Sequence, residues 1–181
     1  MRHLPNVICV LRIALIWPIL SSISAANYRL TLLLFFIAAV SDGLDGFLAK
    51  RFHWTSELGK YLDPIADKLL LISVFLLLTW YGLIPRWLTS MAVGRDVLIG
   101  SGAIAYRLGW GELRGKPMVS SKINTLLQLL YVLAIIAQQA FGQPVPNVLE
   151  ALALLTLISI CVSGFLYVRE FTQRALAVAR A

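Results

Sequence analysis

Four aspartates lie in two closely spaced pairs in an otherwise apolar part of the chain. Asp42 and Asp45 are three positions apart, and Asp63 and Asp67 are four positions apart. On helices, both spacings put the two members of a pair on the same face. Placing a charge at membrane depth costs ~3 kcal/mol or more, so ionisable residues in apolar segments are candidates for function.

Four carboxylates that converge on one place repel one another unless cations neutralise them. Oxygen ligands of this kind suit Mg²⁺, Mn²⁺ or Ca²⁺, and four carboxylates can share two such ions. The pattern therefore predicts a divalent-metal site between two neighbouring helices. As a structural alternative, the aspartates cap helices or pair with Lys50, Lys60 and Lys68. That alternative accounts for one or two of the aspartates, but not for four on facing helices.

The elements that must position these aspartates are long apolar helices. Of the 181 residues, 59% are hydrophobic and only 14% are charged, and the mean hydropathy is +0.80. We expect an all-α, polytopic membrane protein with one domain, residues 1–181, built as a bundle of six transmembrane helices. The predicted spans are roughly 7–24, 30–50, 60–80, 86–107, 119–140 and 147–168.

Basic residues collect on one side of this six-span arrangement, whereas only Arg29 and Arg86 fall on the other. This asymmetry predicts that both termini and the paired aspartates face the cytoplasm. It also explains the net charge of +7 without nucleic acid as a partner. Arg12 interrupts the first apolar stretch, so we expect that stretch to be retained rather than cleaved as a signal peptide. Cys9 and Cys161 are both expected to be small buried hydrophobes.

The aspartates and the residues around them resemble the signature of the CDP-alcohol phosphotransferase family, D-x-x-D-G-x-x-A-R-x8-G-x3-D-x3-D. The match covers residues 42–67, and Lys50 stands where arginine is usual. Arg51 follows directly, but a guanidinium and an ammonium are not interchangeable. Besides the four aspartates, the matching positions are Gly46, Ala49, Lys50 and Gly59.

The resemblance implies a metal-dependent enzyme that moves a phosphatidyl group from CDP-diacylglycerol to an alcohol. It implies a six-helix bundle, usually a homodimer, in a membrane that we expect to be the bacterial inner membrane. By position, Asp42, Asp45 and Asp63 resemble ligands of two Mg²⁺ or Mn²⁺ ions, and Asp67 resembles a further ligand and the proposed general base. The implied cytidine pocket is lined by Gly46, Ala49 and Gly59, with Lys50 near the nucleotide.

Other parts of the chain bear on the acceptor alcohol. The opening LPNVICVLR resembles the P-N-x-x-T-x-x-R start of the cardiolipin synthase and phosphatidylglycerophosphate synthase branches, with Cys9 in place of threonine. Arg12 is expected either to reach the lipid diphosphate or to snorkel to the interface. Arg95 and Lys122 are the candidates for binding a phosphate on the acceptor. Because Asp96 is adjacent to Arg95, we expect the two side chains to face different sides of a helix and to have separate partners.

Two acceptors fit such cations, since phosphatidylglycerol and glycerol 3-phosphate both carry a phosphate and a free hydroxyl. The segments GRDV and SKINT resemble cardiolipin synthases, and position 103 is alanine where the glycerophosphate enzymes usually have a second arginine. We therefore expect phosphatidylglycerol, with glycerol 3-phosphate as the alternative. A more distant hypothesis is a non-enzymatic cation transporter. An ion pathway should, however, place acids across the whole membrane, whereas these acids cluster at one end.

Overall fold

The structure is a computed structural model. It describes the backbone of residues 4–52, 57–110, 119–142 and 146–179, and the side chains of residues 11–41, 66–103, 119–142 and 146–173. The described backbone forms six α-helices, which confirms the all-α prediction. In chain order they are α1 (Leu4–Ser24), α2 (Tyr28–Phe52), α3 (Glu57–Trp80), α4 (Arg86–Trp110), α5 (Val119–Phe141) and α6 (Pro146–Ala179).

Each predicted span lies inside one of these helices. The largest difference is in α6, which continues to Ala179, whereas the predicted span ends at residue 168. The extension contains Arg169, Glu170 and Arg174, which end an apolar segment but are good helix formers. Hydropathy therefore located the apolar part of α6 and missed its polar continuation.

The helices fall into two compact units. The first unit comprises residues 1–84 and 132–145, and α1 packs in it against both α2 and α3. The second unit comprises residues 85–131 and 146–181, and α4 packs in it against α6. The N-terminal half of α5 thus belongs to the second unit and its C-terminal part to the first.

Two of the described helical stretches are long and apolar enough to cross a membrane, Val119–Phe141 and Pro146–Gln173. Two shorter apolar stretches, Leu11–Ser24 and Tyr28–Ser41, lie in α1 and α2. The distribution of side chains fits an apolar surrounding, because Trp80, Phe165 and many other large apolar residues are exposed while Arg12 and Arg95 are buried. Cys161 is exposed on α6, so the expectation that it is buried was wrong. In apolar surroundings a small hydrophobic side chain gains nothing from burial, because burial no longer removes it from water.

The turns after α1 and α3 share one hydrogen-bond pattern. After α1, the N–H groups of Ala26 and Asn27 bond the carbonyls of Ile23 and Ser22. Gly82 and Leu83 repeat this arrangement after α3. Such a helix end needs a residue with positive φ, and the values are 54° at Ala26 and 74° at Gly82. Ala26 therefore adopts a conformation in which its Cβ is crowded, whereas glycine relieves that crowding in the second turn.

Candidate active site

The four signature aspartates lie on two consecutive helices. Asp42 and Asp45 belong to α2, and Asp63 and Asp67 belong to α3. The structure describes the side chain of Asp67, whereas those of the other three lie outside the described residues. The same holds for the side-chain surroundings of the predicted nucleotide pocket, at Gly46, Ala49, Lys50 and Gly59. The four-carboxylate cluster and the pocket therefore stay predictions.

Asp67 is joined to the first helix by a charged hydrogen bond. Nη1 of Arg12 donates to Oδ1 of Asp67, and the two residues form an ion pair. The Arg12 side chain is 1% exposed and that of Asp67 is 35% exposed. A buried guanidinium needs a hydrogen-bonded counter-charge, and Asp67 supplies it. Arg12 thus points into the protein, which contradicts the alternative that it snorkels to the interface, whereas its contact with the lipid diphosphate stays a prediction.

Matching faces of α1 and α3 position this ion pair. On α1, Arg12 shares one face with the buried residues Ile19 and Ile23, at spacings of seven and eleven. On α3, the face that begins with Asp67 continues through the buried residues Leu71, Val74 and Leu78. The apolar stripes hold the two helices together and leave their polar residues at one end.

The Asp67 carboxylate can bind a cation besides Arg12. A carboxylate offers about four lone-pair sites, and about a third of the Asp67 side chain is exposed. Together with Asp42, Asp45 and Asp63 it would form an all-oxygen ligand set, which fits Mg²⁺ or Mn²⁺. No group of three or more metal-ligating residues occurs within the described side chains, a part of the chain that includes only one of the four predicted ligands.

An apolar groove of about 930 Å³ lies between α1 and α3. It begins at Ile13, the neighbour of Arg12, and extends to Ser24 and Trp80 at the ends of the two helices. Its walls are mostly apolar and include Trp17. The groove could accommodate a hydrocarbon chain whose polar head lies near Arg12.

A second charged centre lies in the second unit, around Arg95 of α4. Its Nη1 donates to Oδ1 of Asp96 at 2.6 Å, and its Nη2 donates to the hydroxyls of Ser121 at 2.9 Å and of Ser163. The guanidinium carbon also lies 5.8 Å from the centre of the Tyr167 ring. Arg95 therefore connects α4 with α5 and α6 from a buried position.

One expectation about this centre was wrong, and another stays untested. Arg95 and Asp96 were expected to have separate partners, but they bond each other, because the long arginine side chain bends back along its own helix. Lys122 was expected, like Arg95, to bind a phosphate on the acceptor, and this stays a prediction; its side chain is exposed, and the described contacts of Arg95 do not include it. Sequence reasoning also missed Ser121 and Ser163. Ser159 and Ser163 recur at helical spacing in an apolar helix, which was an available signal for an inward polar face.

Comparison with known proteins identifies the family. The family model described as CDP-alcohol phosphatidyltransferase matches residues 2–163. The chain belongs to the CDP-alcohol phosphatidyltransferase family. Proteins of this membrane-associated family use CDP-alcohol donors and alcohol acceptors, and they generally use divalent metals. Family membership supports the hypothesis that the aspartates belong to an enzyme rather than to a cation transporter.

Relatives of this chain carry two different names. Human cardiolipin synthase (CMP-forming) is 32% identical over 181 residues, which cover 91% of this chain and 60% of the human protein. CDP-diacylglycerol–glycerol-3-phosphate 3-phosphatidyltransferase of Bacillus subtilis is 33% identical over 152 residues, with 75% of this chain and 77% of the relative covered. The protein of the same name from Blochmanniella floridana is 34% identical over 156 residues, with coverages of 80% and 76%. The chain thus spans 60% of the length of its human relative.

Proposed function

We propose that this protein moves the phosphatidyl group of CDP-diacylglycerol onto the free hydroxyl of phosphatidylglycerol, which forms cardiolipin and releases CMP. Family membership supports transfer chemistry. Within this chain, the observation that most directly supports the proposal is the hydrogen bond between Arg12 and Asp67. The bond holds a guanidinium, a group suited to binding phosphate, beside a carboxylate, a group suited to ligating metal or accepting a proton.

In this proposal the donor binds at the cytoplasmic ends of α2 and α3. Two divalent ions, Mg²⁺ or Mn²⁺, would be held by Asp42, Asp45, Asp63 and Asp67. When bound, such ions neutralise the diphosphate of the donor and stabilise CMP as the leaving group. The cytidine would lie against Gly46, Ala49 and Gly59, with Lys50 near it. An acyl chain of the donor would occupy the apolar groove that begins beside Arg12.

Arg12 and Asp67 would act in sequence. On donor binding, the Arg12 guanidinium would turn from Oδ1 of Asp67 to an oxygen of the diphosphate, which leaves Oδ1 to accept the proton of the acceptor hydroxyl. The deprotonated oxygen forms a bond to the phosphorus that carries diacylglycerol. The bond between that phosphorus and the bridging oxygen breaks, and CMP leaves with the electron pair.

Arg95 would bind the phosphate of the acceptor, and Lys122 would attract it from the exposed surface of α5. The GRDV and SKINT segments support phosphatidylglycerol as the acceptor, and so does the match to human cardiolipin synthase over 91% of this chain. The names of the Bacillus and Blochmanniella relatives favour a second candidate, glycerol 3-phosphate. Either acceptor presents a phosphate to Arg95, a diester in phosphatidylglycerol and a monoester in glycerol 3-phosphate, so the two candidates differ in substrate and not in the type of reaction.

The proposal also includes the surroundings of the enzyme. All six helices would cross the membrane as a bundle, with the aspartates facing the cytoplasm of a bacterium and the protein in its inner membrane. The excess of basic residues on one side supports this orientation. The enzyme would act as a homodimer, as the family resemblance implies. Crosslinking in native membranes, followed by mass determination, tests the dimer independently of activity.

The deciding experiment is a CMP-release assay on purified protein in detergent micelles. CDP-diacylglycerol is supplied with Mg²⁺ or Mn²⁺, and either phosphatidylglycerol or glycerol 3-phosphate is the acceptor. We expect CMP release with phosphatidylglycerol, a cardiolipin product by mass spectrometry, and loss of activity with EDTA that added metal restores.

Each other outcome has a defined meaning. CMP release with glycerol 3-phosphate alone would establish the second candidate and exclude the first. Absence of CMP release with both acceptors, from protein whose unfolding is cooperative, would refute the transferase proposal. Full activity in EDTA would refute the metal requirement.

A further inference from the structure

A row of polar residues lines the contact between α5 and α6 in the second unit. We call it the polar seam, and its members are Ser121, Asn124, Gln128, Thr156, Ser159 and Ser163. Spacings of three and four put the members of each helix on one face. Asn124 and Gln128 are 0% and 1% exposed. The polar seam is therefore internal, in two helices that are apolar enough to cross a membrane.

Part of the polar seam is satisfied by its own hydrogen bonds. Ser159 donates to Oδ1 of Asn124 at 2.8 Å, and Oγ1 of Thr156 donates to the carbonyl of Leu127 at 3.5 Å. At one end, Ser121 and Ser163 accept hydrogen bonds from Arg95. These bonds hold α5 and α6 together and join them to the guanidinium.

The two amide groups in the polar seam have hydrogen-bonding capacity left over. Among the described residues, Nδ2 of Asn124 and Nε2 of Gln128 have no hydrogen-bond partner, and both atoms are buried. Nε of Arg95, at the end of the seam, is in the same situation. Buried donors without acceptors are destabilising, and leucine would pack at either amide position without that penalty. Their presence points to an acceptor that a ligand brings.

The chemistry of the three atoms defines that ligand. All three are N–H donors and one belongs to a cation, so the complementary group is rich in acceptor oxygens and carries negative charge. From Ser121 to Gln128 the helix rises about 10 Å, enough for a phosphate near Arg95 and a three-carbon polyol beside it. A glycerol-phosphate head fits this description, whereas a hydrocarbon chain or a metal cation does not.

Polar side chains in membrane helices also act simply as contacts between helices. That role accounts for Ser159 and for the carbonyl oxygen of Asn124, which bond each other. It does not account for Gln128, whose buried Nε2 has no hydrogen-bond partner among the described residues. A role in helix–helix contact and a role in ligand binding therefore predict different effects of replacing Gln128.

We propose that Asn124 and Gln128, together with Arg95, form the subsite that binds the glycerol-phosphate head of the acceptor. Their amide N–H groups donate to its phosphate and hydroxyl oxygens, and they thereby determine which alcohols the enzyme accepts. The inference rests on the proposed transferase function and deepens it, because it assigns acceptor recognition to residues of the polar seam.

The test is Gln128→Met, which keeps the length of the side chain and removes its hydrogen bonds. CMP release is measured at saturating CDP-diacylglycerol with phosphatidylglycerol varied, and in a second arm with glycerol 3-phosphate varied. We expect KM for the acceptor to rise about tenfold, the effect of one lost hydrogen bond, and KM for CDP-diacylglycerol to change less than about twofold. Gln139→Met is the matched control, because Gln139 is exposed on the same helix. It should leave both constants unchanged.

Thermal unfolding separates this proposal from a structural role and from failure of the transferase proposal. Glycerol 3-phosphate should raise Tm of the wild type and not that of Gln128→Met. This comparison needs no turnover, so it tests the subsite even if the wild type releases no CMP. An unchanged acceptor KM overturns the proposal, and so does an equal rise in both KM values with a lower Tm. If Gln128→Met does not fold, Asn124→Leu, which has nearly the same shape, is measured in the same way.

Discussion

Arg12 of α1 and Asp67 of α3 are 55 positions apart in the chain and are joined by a hydrogen bond. The pair links the arginine of the N-terminal P-N-x-x-T-x-x-R-like segment to the last aspartate of the family signature. The first helix is therefore a part of the candidate active site as well as an apolar packing element of the first unit. Its buried guanidinium orients the carboxylate before any substrate is bound.

Replacing Arg12 by methionine should destabilise the protein. Methionine keeps much of the buried aliphatic part of the arginine side chain and removes the charge that pairs with Asp67. We expect a loss of roughly 1–3 kcal/mol in the free energy of unfolding, below the range for a fully buried pair because Asp67 is partly exposed. Urea unfolding in detergent measures it. Arg29→Met is the control: Arg29 is exposed, lies 5.5 Å from the centre of the Phe141 ring, and should cost less than about 1 kcal/mol. Equal losses in both variants would contradict a special role for the buried pair.

The variant Asp67→Asn should separate chemistry from donor binding. The amide cannot accept the proton of the acceptor hydroxyl, so kcat should fall by about 10²–10⁴ while CDP-diacylglycerol still binds. Single-turnover CMP release gives the rate, and equilibrium binding of a radiolabelled donor gives the affinity. Glu150→Gln makes the same chemical change at an exposed position of α6 and should retain full activity. A near-normal rate for Asp67→Asn would mean that another group is the base.

Ala26→Gly should stabilise the turn between α1 and α2. Relief of the left-handed conformation, worth about 1–2 kcal/mol, exceeds the entropy that glycine adds to the unfolded chain, so the net gain should be about 0.5–1 kcal/mol. The reciprocal change Gly82→Ala should be destabilising, because Gly82 has the same φ sign in an equivalent turn. Thermal unfolding of both variants measures the effects. A lower Tm for Ala26→Gly would show that the crowding at this position is negligible.

Gly102 marks a close approach of α4 and α6 within the second unit. A Cβ at this position would lie 2.6 Å from Cε2 of Phe171, so the ring would have to move. We expect Gly102→Ala to lose about 1–2 kcal/mol, and Phe171→Leu to restore part of the loss in the double variant. Gly100→Ala is the control, since a Cβ there meets nothing within 4 Å and alanine favours a helix by about 1 kcal/mol. If both alanine variants gain stability, the approach is looser than the distance indicates.

The helices were predictable from the sequence because long apolar runs carry a strong local signal. The contacts of the site were less so. The bond between Arg12 and Asp67 joins two helices that α2 separates in the sequence. Hydropathy describes each segment by itself, so it does not predict which side chains of two helices pair. The pairing of Arg95 with Asp96 was mispredicted, because the directions of adjacent Cβ atoms do not determine where the end of a long side chain lies. The spacing of Asp42, Asp45 and Asp63 predicts a metal site, which stays a prediction because all three side chains lie outside the described residues.

The crowded conformation of Ala26 has a genetic consequence. Alanine and glycine codons differ only at their second base, so one base change in the gene converts Ala26 to glycine. A random mutant library therefore contains this variant without any design. Selection of such a library for activity after heating should enrich it in an early round, and sequencing of the survivors would show that a single backbone angle limits heat resistance.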